Sequence, residues 1–455
     1  MNRYLFFIIF YLVGQHVYAQ QSHTLTLDQC VEYALKNQAD VQNAALDVHS
    51  AKSRVGEIRA IGLPQANGSV QITDNPRLQR MFLTPENASM FFPPGQPIPT
   101  DVVGIENLFQ LRSSGDANIT LSQLIFDGSY FVGLQAASVY RELAQKSLTR
   151  TEIEVAESVT KAYYMVLINE ERTNLLDNNL ARLDTLLRET RAMHEQGLLE
   201  KIEVSRIQVN YNNMLVEKQR FDNMKQIGLL MLKFQMGMPM ENELIPAQSL
   251  NDFSGEFVMD TETPVNYNDR IEYSMQKTTR NLNALDIRNE RIQSLPRLSA
   301  FASGGFFTQH TSVPNLFGNP WYGYGRYGLT LNVPIFDGLG RVYRIQQAKV
   351  SLSQTENNIR NLENAIDFQV RQSRLNLQSN LEMLEAQRRN LELAEEVTRI
   401  SRIKYQEGVG SNLEVTTAEN SYREAQTNYF NSLYDVLVAT VDYKKSLGTL
   451  NVNKN

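Results

Sequence analysis

Glycine is absent from residues 134 to 196 and again from 341 to 407, and no proline lies between residues 100 and 238 or after 334. These are the two residue types that interrupt helices. Glycine does so through backbone entropy, and proline through its missing N–H and its clash with the preceding turn. One helix across either stretch is about 100 Å long at 1.5 Å per residue. Globular helices average about three turns, so this chain cannot be a string of ordinary compact domains, although its length alone suggests two or three.

The pattern inside both stretches is helical. Val155, Val159, Ala162 and Val166 recur at steps of four and three, and the same phase continues through Asn169 and Thr173 to Leu176, Leu180, Leu183 and Leu187. Ile345, Ala348, Leu352, Ile359, Leu362 and Ile366 repeat the arrangement in the second stretch. This spacing predicts heptad-like seams packed on neighbouring helices. Polar residues within the seam argue against a tight two-stranded zipper, and the remaining faces are rich in Arg, Glu, Gln and Asn. Each stretch breaks at glycine and resumes, first in MHEQGLLEKIEV at Gly197 and then in KYQEGVGSNLEV at Gly408 and Gly410. Glycine just past a helix end supplies a left-handed cap. Each unit therefore reads as a very long helical hairpin, over 128–237 and 338–447.

The two halves resemble each other. LSQLIFDG at Leu121–Gly128 parallels LNVPIFDG at Leu331–Gly338, Leu63-Pro64 parallels Leu295-Pro296, and Glu203-Val204 parallels Glu414-Val415. A tandem repeat is the economical reading, with a first copy over 20–237, a linker over 238–264, a second copy over 265–450 and a tail over 451–455. Strands are expected at about 64–74, 116–126, 297–308 and 325–336, the third being glycine-rich and less distinct. Ala66, Val70 and Ile72 alternate with Asn67, Ser69 and Gln71, and Tyr327, Leu329, Leu331, Val333 and Ile335 alternate with smaller or polar residues. Period-two alternation suits a half-buried strand, and equally a membrane barrel that is apolar outside and wet inside. Asp127-Gly128 and Asp337-Gly338 stand before the long helices, where an aspartate caps the first turn and favours the helix dipole. Two loops, 74–115 and 309–325, carry proline and aromatic residues.

Several function classes are excluded. A formal charge of −6 leaves no basic surplus for nucleic acid. One cysteine and five scattered histidines give no metal site and no cofactor is expected. Gly323, Gly325 and Gly328 match GxGxxG, but the motif leads into a strand rather than a helix, so a dinucleotide role is not expected. Glu142, Glu152, Glu154 and Glu157 read as a solvated helix face, and His194 as an exposed and inert residue. No nucleophile–base arrangement suggests an enzyme. Arg3, the short apolar run Leu5–Val13 and the small-residue site ending at Ala19 predict a signal peptide over 1–19.

The duplicated strand–loop–strand between enormous hairpins, the two IFDG junctions, LTLDQCVEYALKNQ near the start and YKKSLGTLN near the end together resemble the TolC family of outer-membrane efflux proteins, across about residues 24–450. The resemblance implies a mostly α fold with a small β part. Three copies would share a 12-stranded outer-membrane β-barrel continued by a 12-helix periplasmic α-barrel. Four strands cannot close a barrel, and open edges are not tolerated in lipid, so the chain must oligomerise if its strands enter a membrane, and the resemblance makes that oligomer a homotrimer. The family's mechanism implies passive conduction in a tripartite efflux or type I secretion system, with a periplasmic adaptor and an inner-membrane pump as partners and outer-membrane lipid around the barrel. The tip turns Gly197, Leu198, Leu199 and Gly408, Val409, Gly410 are where the adaptor would dock. By motif position Tyr405 would donate a hydrogen bond to Glu203. Glu414 would stand in an acidic ring at the constriction, where three carboxylates would repel one another and attract cations. Gly410 and Thr417 replace a basic and an acidic residue of the family's gate. Glu203 and Glu414 also read simply as acids at helix starts. A periplasmic coiled-coil scaffold or adaptor without a barrel remains the alternative, and the substrate, whether small molecule, metal ion or protein, stays open.

Overall fold

The computed structural model describes residues 22–88, 90–92, 95, 97, 100–107, 109–253 and 265–450. The expected signal peptide and tail, and part of the linker, lie outside the described residues. In chain order the elements are β1 (Ser22–Leu25), α1 (Leu27–Asn37), α2 (Ala39–Ile61), β2 (Gln65–Asp74), β3 (Arg80–Leu83), α3 (Pro85–Ala88), β4 (Val103–Glu106) and β5 (Ser113–Phe126). They continue as α4 (Gly128–Glu195), α5 (Lys201–Met236), β6 (Glu243–Pro246), α6 (Ile271–Ile292), β7 (Arg297–His310), α7 (Val313–Leu316), β8 (Tyr322–Asn332), α8 (Gly340–Gln406) and α9 (Asn412–Leu447). The repeat is preserved in length: α4 and α8 have 68 and 67 residues, and α5 and α9 have 36 each.

The chain divides into two compact units, and neither coincides with a sequence half. One comprises the described residues up to 50 with 142–280 and 354–450, and the other comprises 51–141 with 281–353. Each unit draws on both repeats because strands and helices from the two copies pair with one another.

In the first unit the predicted seam is the core. Val155, Val159, Ala162 and Val166 of α4 are buried with Leu232 and Met236 of α5 and Leu433, Leu437 and Val441 of α9. Leu176, Leu180, Leu183 and Leu187 pack with Ile207 and Met214 of α5 further along the hairpin. Asn169 and Thr173, the polar members of the phase, are buried too. The Thr173 hydroxyl donates to the Asn169 carbonyl at 3.0 Å, a way for a polar side chain to enter a helical seam without an orphaned hydrogen. Ala348 and Ile366 of the second stretch are buried, while Ile345, Leu352, Ile359 and Leu362 are half-buried. The N-terminal β1 pairs in parallel with β6 from the linker, a pairing that local sequence does not reveal. Glu157 is no solvated-face residue: it accepts from Lys161 at 2.7 Å and from Lys445 of α9 at 2.6 Å. Burial acts to raise the Glu157 carboxyl, and the two ammonium groups outweigh it and hold the group below the usual carboxylate range.

The second unit contains a four-stranded antiparallel sheet in the order β2-β5-β7-β8. The glycine-rich segment is its long inner strand β7. A Cβ at Gly305 would stand 2.5 Å from the Ala117 carbonyl oxygen of β5, so the glycine there permits the close approach of two strands. The last strand runs Tyr322–Asn332, not 325–336: Val333, Pro334 and Ile335 lie beyond it. Pro334 has no N–H to give a ladder, which fits the strand's end just before it. The GxGxxG segment is wholly inside β8, with no helix following at once, which leaves no dinucleotide geometry. The long loop holds its own antiparallel pair, β3 with β4.

Candidate functional site

Two regions carry the residues that the sequence singled out: the hairpin tips in the first unit and the sheet with its junctions in the second.

At both tips the chain turns through a glycine of positive φ, +77° at Gly197 and +75° at Gly408. The bonding is the same in each. Gly197 N donates to the His194 carbonyl and Leu198 N to that of Met193, both at 2.9 Å, while Gly408 N and Val409 N reach Tyr405 and Lys404 at 3.1 and 3.0 Å. This double bond satisfies carbonyls left over at a helix end. His194 is not inert, as its sequence suggested, for its Nδ1 lies 2.7 Å from the Leu199 carbonyl and so closes the first turn. Nothing in a lone histidine near a helix end signals such a role. Leu198, Val409 and Leu413 project outward, all well exposed. Leu199 is half-buried. Gly410 also donates to the Lys404 carbonyl, at 2.9 Å. A Cβ there would meet Lys404 Cβ at 2.9 Å and Tyr405 N at 3.0 Å, so the turn has no room for the basic residue whose absence the sequence noted.

The two hairpins are joined near the tips, but not by the expected pair. The Tyr405 hydroxyl is buried and has no hydrogen-bond partner among the described residues. Burial pushes its pKa up. The Glu203 carboxylate instead accepts from Nδ2 of Asn412, the first residue of α9, and lies 3.6 Å from Arg206. Asn412 Nδ2 also reaches the Glu203 carbonyl at 3.3 Å. Asn210 donates to the Thr416 hydroxyl at 3.3 Å, and Arg423 stands 3.6 Å from Glu217. A ladder of polar links thus runs between α5 and α9. Asn412 projects from the first turn of α9, where the Thr416 hydroxyl donates to it, whereas Tyr405 near the end of α8 stands beside Thr190 of α4. Glu414 is exposed, in the first turn of α9 beside its Ser411 cap, where the helix dipole favours an acid. Glu203 occupies the equivalent first turn of α5.

At the junctions the two aspartates differ. Asp127 accepts from Ser129 N at 2.8 Å and pairs with Arg297 at 3.4 Å. Gly128 is needed for packing, since a Cβ would meet Ile292 at 2.8 Å. Asp337 accepts from Arg341 N at 2.9 Å and faces Arg344. Here the helix begins at Gly340 rather than at 338, because Gly338 and Leu339 both take positive φ. Leu339 is the strained one, as branched side chains disfavour that region.

The sheet has two distinct faces. Residues opposite one another across an antiparallel ladder share a face, so the register places Val70, Ala117 and Phe306 on one side, with Leu121, Ala302 and Tyr327. Val70, Phe306, Tyr327, Leu329 and Leu331 are all strongly exposed there. The other face presents Asn67, Thr120, Ser303 and Arg326, with Thr120 bonded to Ser303 at 3.1 Å. The edges β2 and β8 are unpaired within the sheet. Among the described residues no helix is long and apolar enough to cross a membrane.

An exposed apolar sheet face backed by a polar one, carried by a chain of duplicated long hairpins, defines the protomer of an outer-membrane channel. The sequence profile described as outer membrane efflux protein matches residues 30–233 and 277–449. The chain belongs to that family, whose members are passive channels of the outer membrane rather than enzymes. Outer-membrane membership speaks against a purely periplasmic scaffold. Outer membrane protein TolC of Vibrio cholerae serotype O1 is 20% identical over 358 residues, which are 73% of this chain and 76% of that protein. Among solved structures, CusC superposes with a TM-score of 0.72 at 15% identity, covering 93% of this chain and 92% of CusC. The open-state MtrE outer membrane channel of Neisseria gonorrhoeae gives 0.69 at 15% identity, covering 95% and 93%.

Proposed function

We propose that this chain is the outer-membrane exit duct of a tripartite efflux or type I secretion system. Three copies close their twelve strands into one barrel and pack their hairpins into a helical tunnel. Conduction is passive, and the periplasmic tips form the gate, which an adaptor docked on the Gly197–Leu199 and Gly408–Gly410 turns opens together with an inner-membrane pump.

The carrying observation is the four-stranded sheet with an exposed apolar face and two unpaired edges. Such a sheet cannot stand alone in lipid, because every edge N–H and C=O left without water or a partner costs several kcal/mol. Closure with copies of itself removes the edges and turns the apolar face to lipid. The helices support the same assembly. Ile202, Val209, Val216 and Leu230 of α5 lie on one heptad phase and are exposed, as are Phe368 and Leu375, one heptad apart on α8. Apolar stripes of this length mark surfaces covered by a partner. At the tips, Asn412–Glu203 takes the part that the resemblance assigns to Tyr405–Glu203, and the exposure of Glu414 in the first turn of α9 supports its role as lining of the constriction.

The test is native mass spectrometry of the protein extracted from outer membranes, followed by reconstitution into planar bilayers. A trimer that conducts ions supports the duct. A monomer, or a trimer that never conducts, overturns it.

A further inference from the structure

The polar face of the sheet carries one cationic group that nothing neutralises. Five residues with acidic, guanidinium or imidazole side chains lie on β2, β5, β7 and β8: Asp74, Asp116, Arg297, His310 and Arg326. Three are at strand ends. Asp74 pairs with Arg112 at 3.0 Å, Arg297 pairs with Asp127 at 3.4 Å, and His310 contacts the Thr311 hydroxyl at 3.3 Å. Asp116 accepts from the Tyr324 hydroxyl at 2.8 Å and from Asn118. Arg326 makes no ion pair or hydrogen bond among the described residues and is exposed.

The register explains the isolation. Across β7 and β5, Arg326 stands opposite Ser303 and Thr120, both uncharged and bonded to each other. Its diagonal neighbour, Phe301, lies over Gly328, where a Cβ would be 3.1 Å from the ring. Phe301, the Ser303 and Thr120 hydroxyls and Tyr324, whose phenol interacts with Arg326, share its face, and none of them carries a charge. Asp116 is on the same face but four residues from Thr120 along β5, about 13 Å nearer the loop end at 3.3 Å per residue.

We propose that Arg326 is the charge filter of the barrel segment and favours anionic solutes at mid-barrel. This rests on the closed-barrel reading given above. Repeated by three copies, it makes a positive ring inside, with an acidic ring of Asp116 nearer the loops. Rings of arginine select anions in other pores through the same Coulomb field.

The experiment places a thiol reporter beside the filter. Thr330 is on the same face as Arg326, four residues along β8, and is exposed. Its distance from Arg326 along the strand is about 13 Å. In liposomes containing the Thr330→Cys protein, the rates of modification by an anionic and a cationic thiosulfonate are measured in 10 mM salt, with and without Arg326→Gln. The native Cys30 stays silent, because it is fully buried and burial pushes its thiol up to about 12, leaving almost no thiolate to react.

One charge at that distance in water changes the anionic-to-cationic rate ratio about threefold, and screening at 10 mM leaves roughly a twofold effect. The expected result is therefore a two- to threefold fall of the ratio in Arg326→Gln, its retention in Arg326→Lys, and no difference in 1 M salt. A ratio unchanged by Arg326→Gln in 10 mM salt overturns the filter. So does a ratio lost equally in Arg326→Lys, which would trace the effect to shape rather than charge. A separate control tells this failure from that of the barrel: Leu329→Cys, on the apolar face, should be protected by lipid. If it reacts while Thr330→Cys does not, the faces are reversed and the barrel reading itself falls.

Discussion

Replacing Asn412 with alanine should open the channel, whereas replacing Tyr405 with phenylalanine should not. Asn412 is buried and gives its amide hydrogens to both the carboxylate and the carbonyl of Glu203. After Asn412→Ala the Glu203 carboxylate keeps, among the described residues, one ion-pair partner, Arg206 at 3.6 Å. A hydrogen bond to a charged group contributes about 1.5–3 kcal/mol. The Glu203 side chain is 23% exposed, so water recovers part of the loss and the lower end applies. About 1.4 kcal/mol is a factor of ten in an equilibrium constant. The ratio of open to closed tips should thus rise about tenfold for each protomer. The Tyr405 hydroxyl makes no hydrogen bond to Glu203 that Tyr405→Phe could remove. The assay is single-channel recording in planar bilayers, reading the fraction of time spent at the higher conductance level. An Asn412→Ala channel as closed as the parent, alongside a Tyr405→Phe channel that opens, would refute the reasoning. It would restore the link that the family resemblance implies.

Three further outcomes are expected. In the proposed trimer three exposed Glu414 carboxylates would meet on one axis and attract cations, so Glu414→Ala should weaken block by multivalent cations added from the tip side, and unchanged block would remove Glu414 from the constriction. Gly410→Lys forces a Cβ to within 2.9 Å of Lys404 Cβ and 3.0 Å of a backbone nitrogen, and overpacking of this kind costs about 1–3 kcal/mol. Hydrogen exchange across residues 404–411 should therefore quicken, and unaltered protection would show that the turn can yield. Glu157→Gln should destabilise the first unit by about 2 kcal/mol at neutral pH. The folded-state pKa of Glu157 is depressed, so its contribution is present above the unfolded value of about 4.3 and is lost as pH falls through the folded one. Thermal unfolding of parent and variant should converge in acid, and a gap that is constant with pH would contradict the assignment.

Much of the fold was legible because its strongest signals are local. Stretches free of glycine and proline can only be long helices, a seam at steps of three and four has to be buried, and glycine at Gly197 and Gly408 has to cap. Those inferences follow from backbone sterics and hydrophobic periodicity, which belong to single segments. The repeat was legible for the same reason, since two copies of one local pattern fold alike.

What local pattern could not supply were the partners. Val333 and Ile335 continue an alternation past the end of β8, because period two does not register that Pro334 lacks a donor. The pairing of β1 with β6 joins segments more than 200 residues apart, and nothing in either four-residue piece specifies the other. The tip link passed from Tyr405 to Asn412 because a hydrogen bond depends on where two helices meet, and helix phase fixes only which way each side chain leaves its own axis. Glu157 looked like part of a solvated face until α9 brought Lys445 to it. The unpaired state of Arg326 likewise needed the register of three strands. Sequence by itself determined the long helices, their glycine turns, the repeat and the buried seam, since these depend on backbone sterics and periodicity within a segment. Only the tertiary structure decided which polar groups satisfy one another, because hydrogen bonds and ion pairs act over about 3 Å between residues that the chain keeps far apart.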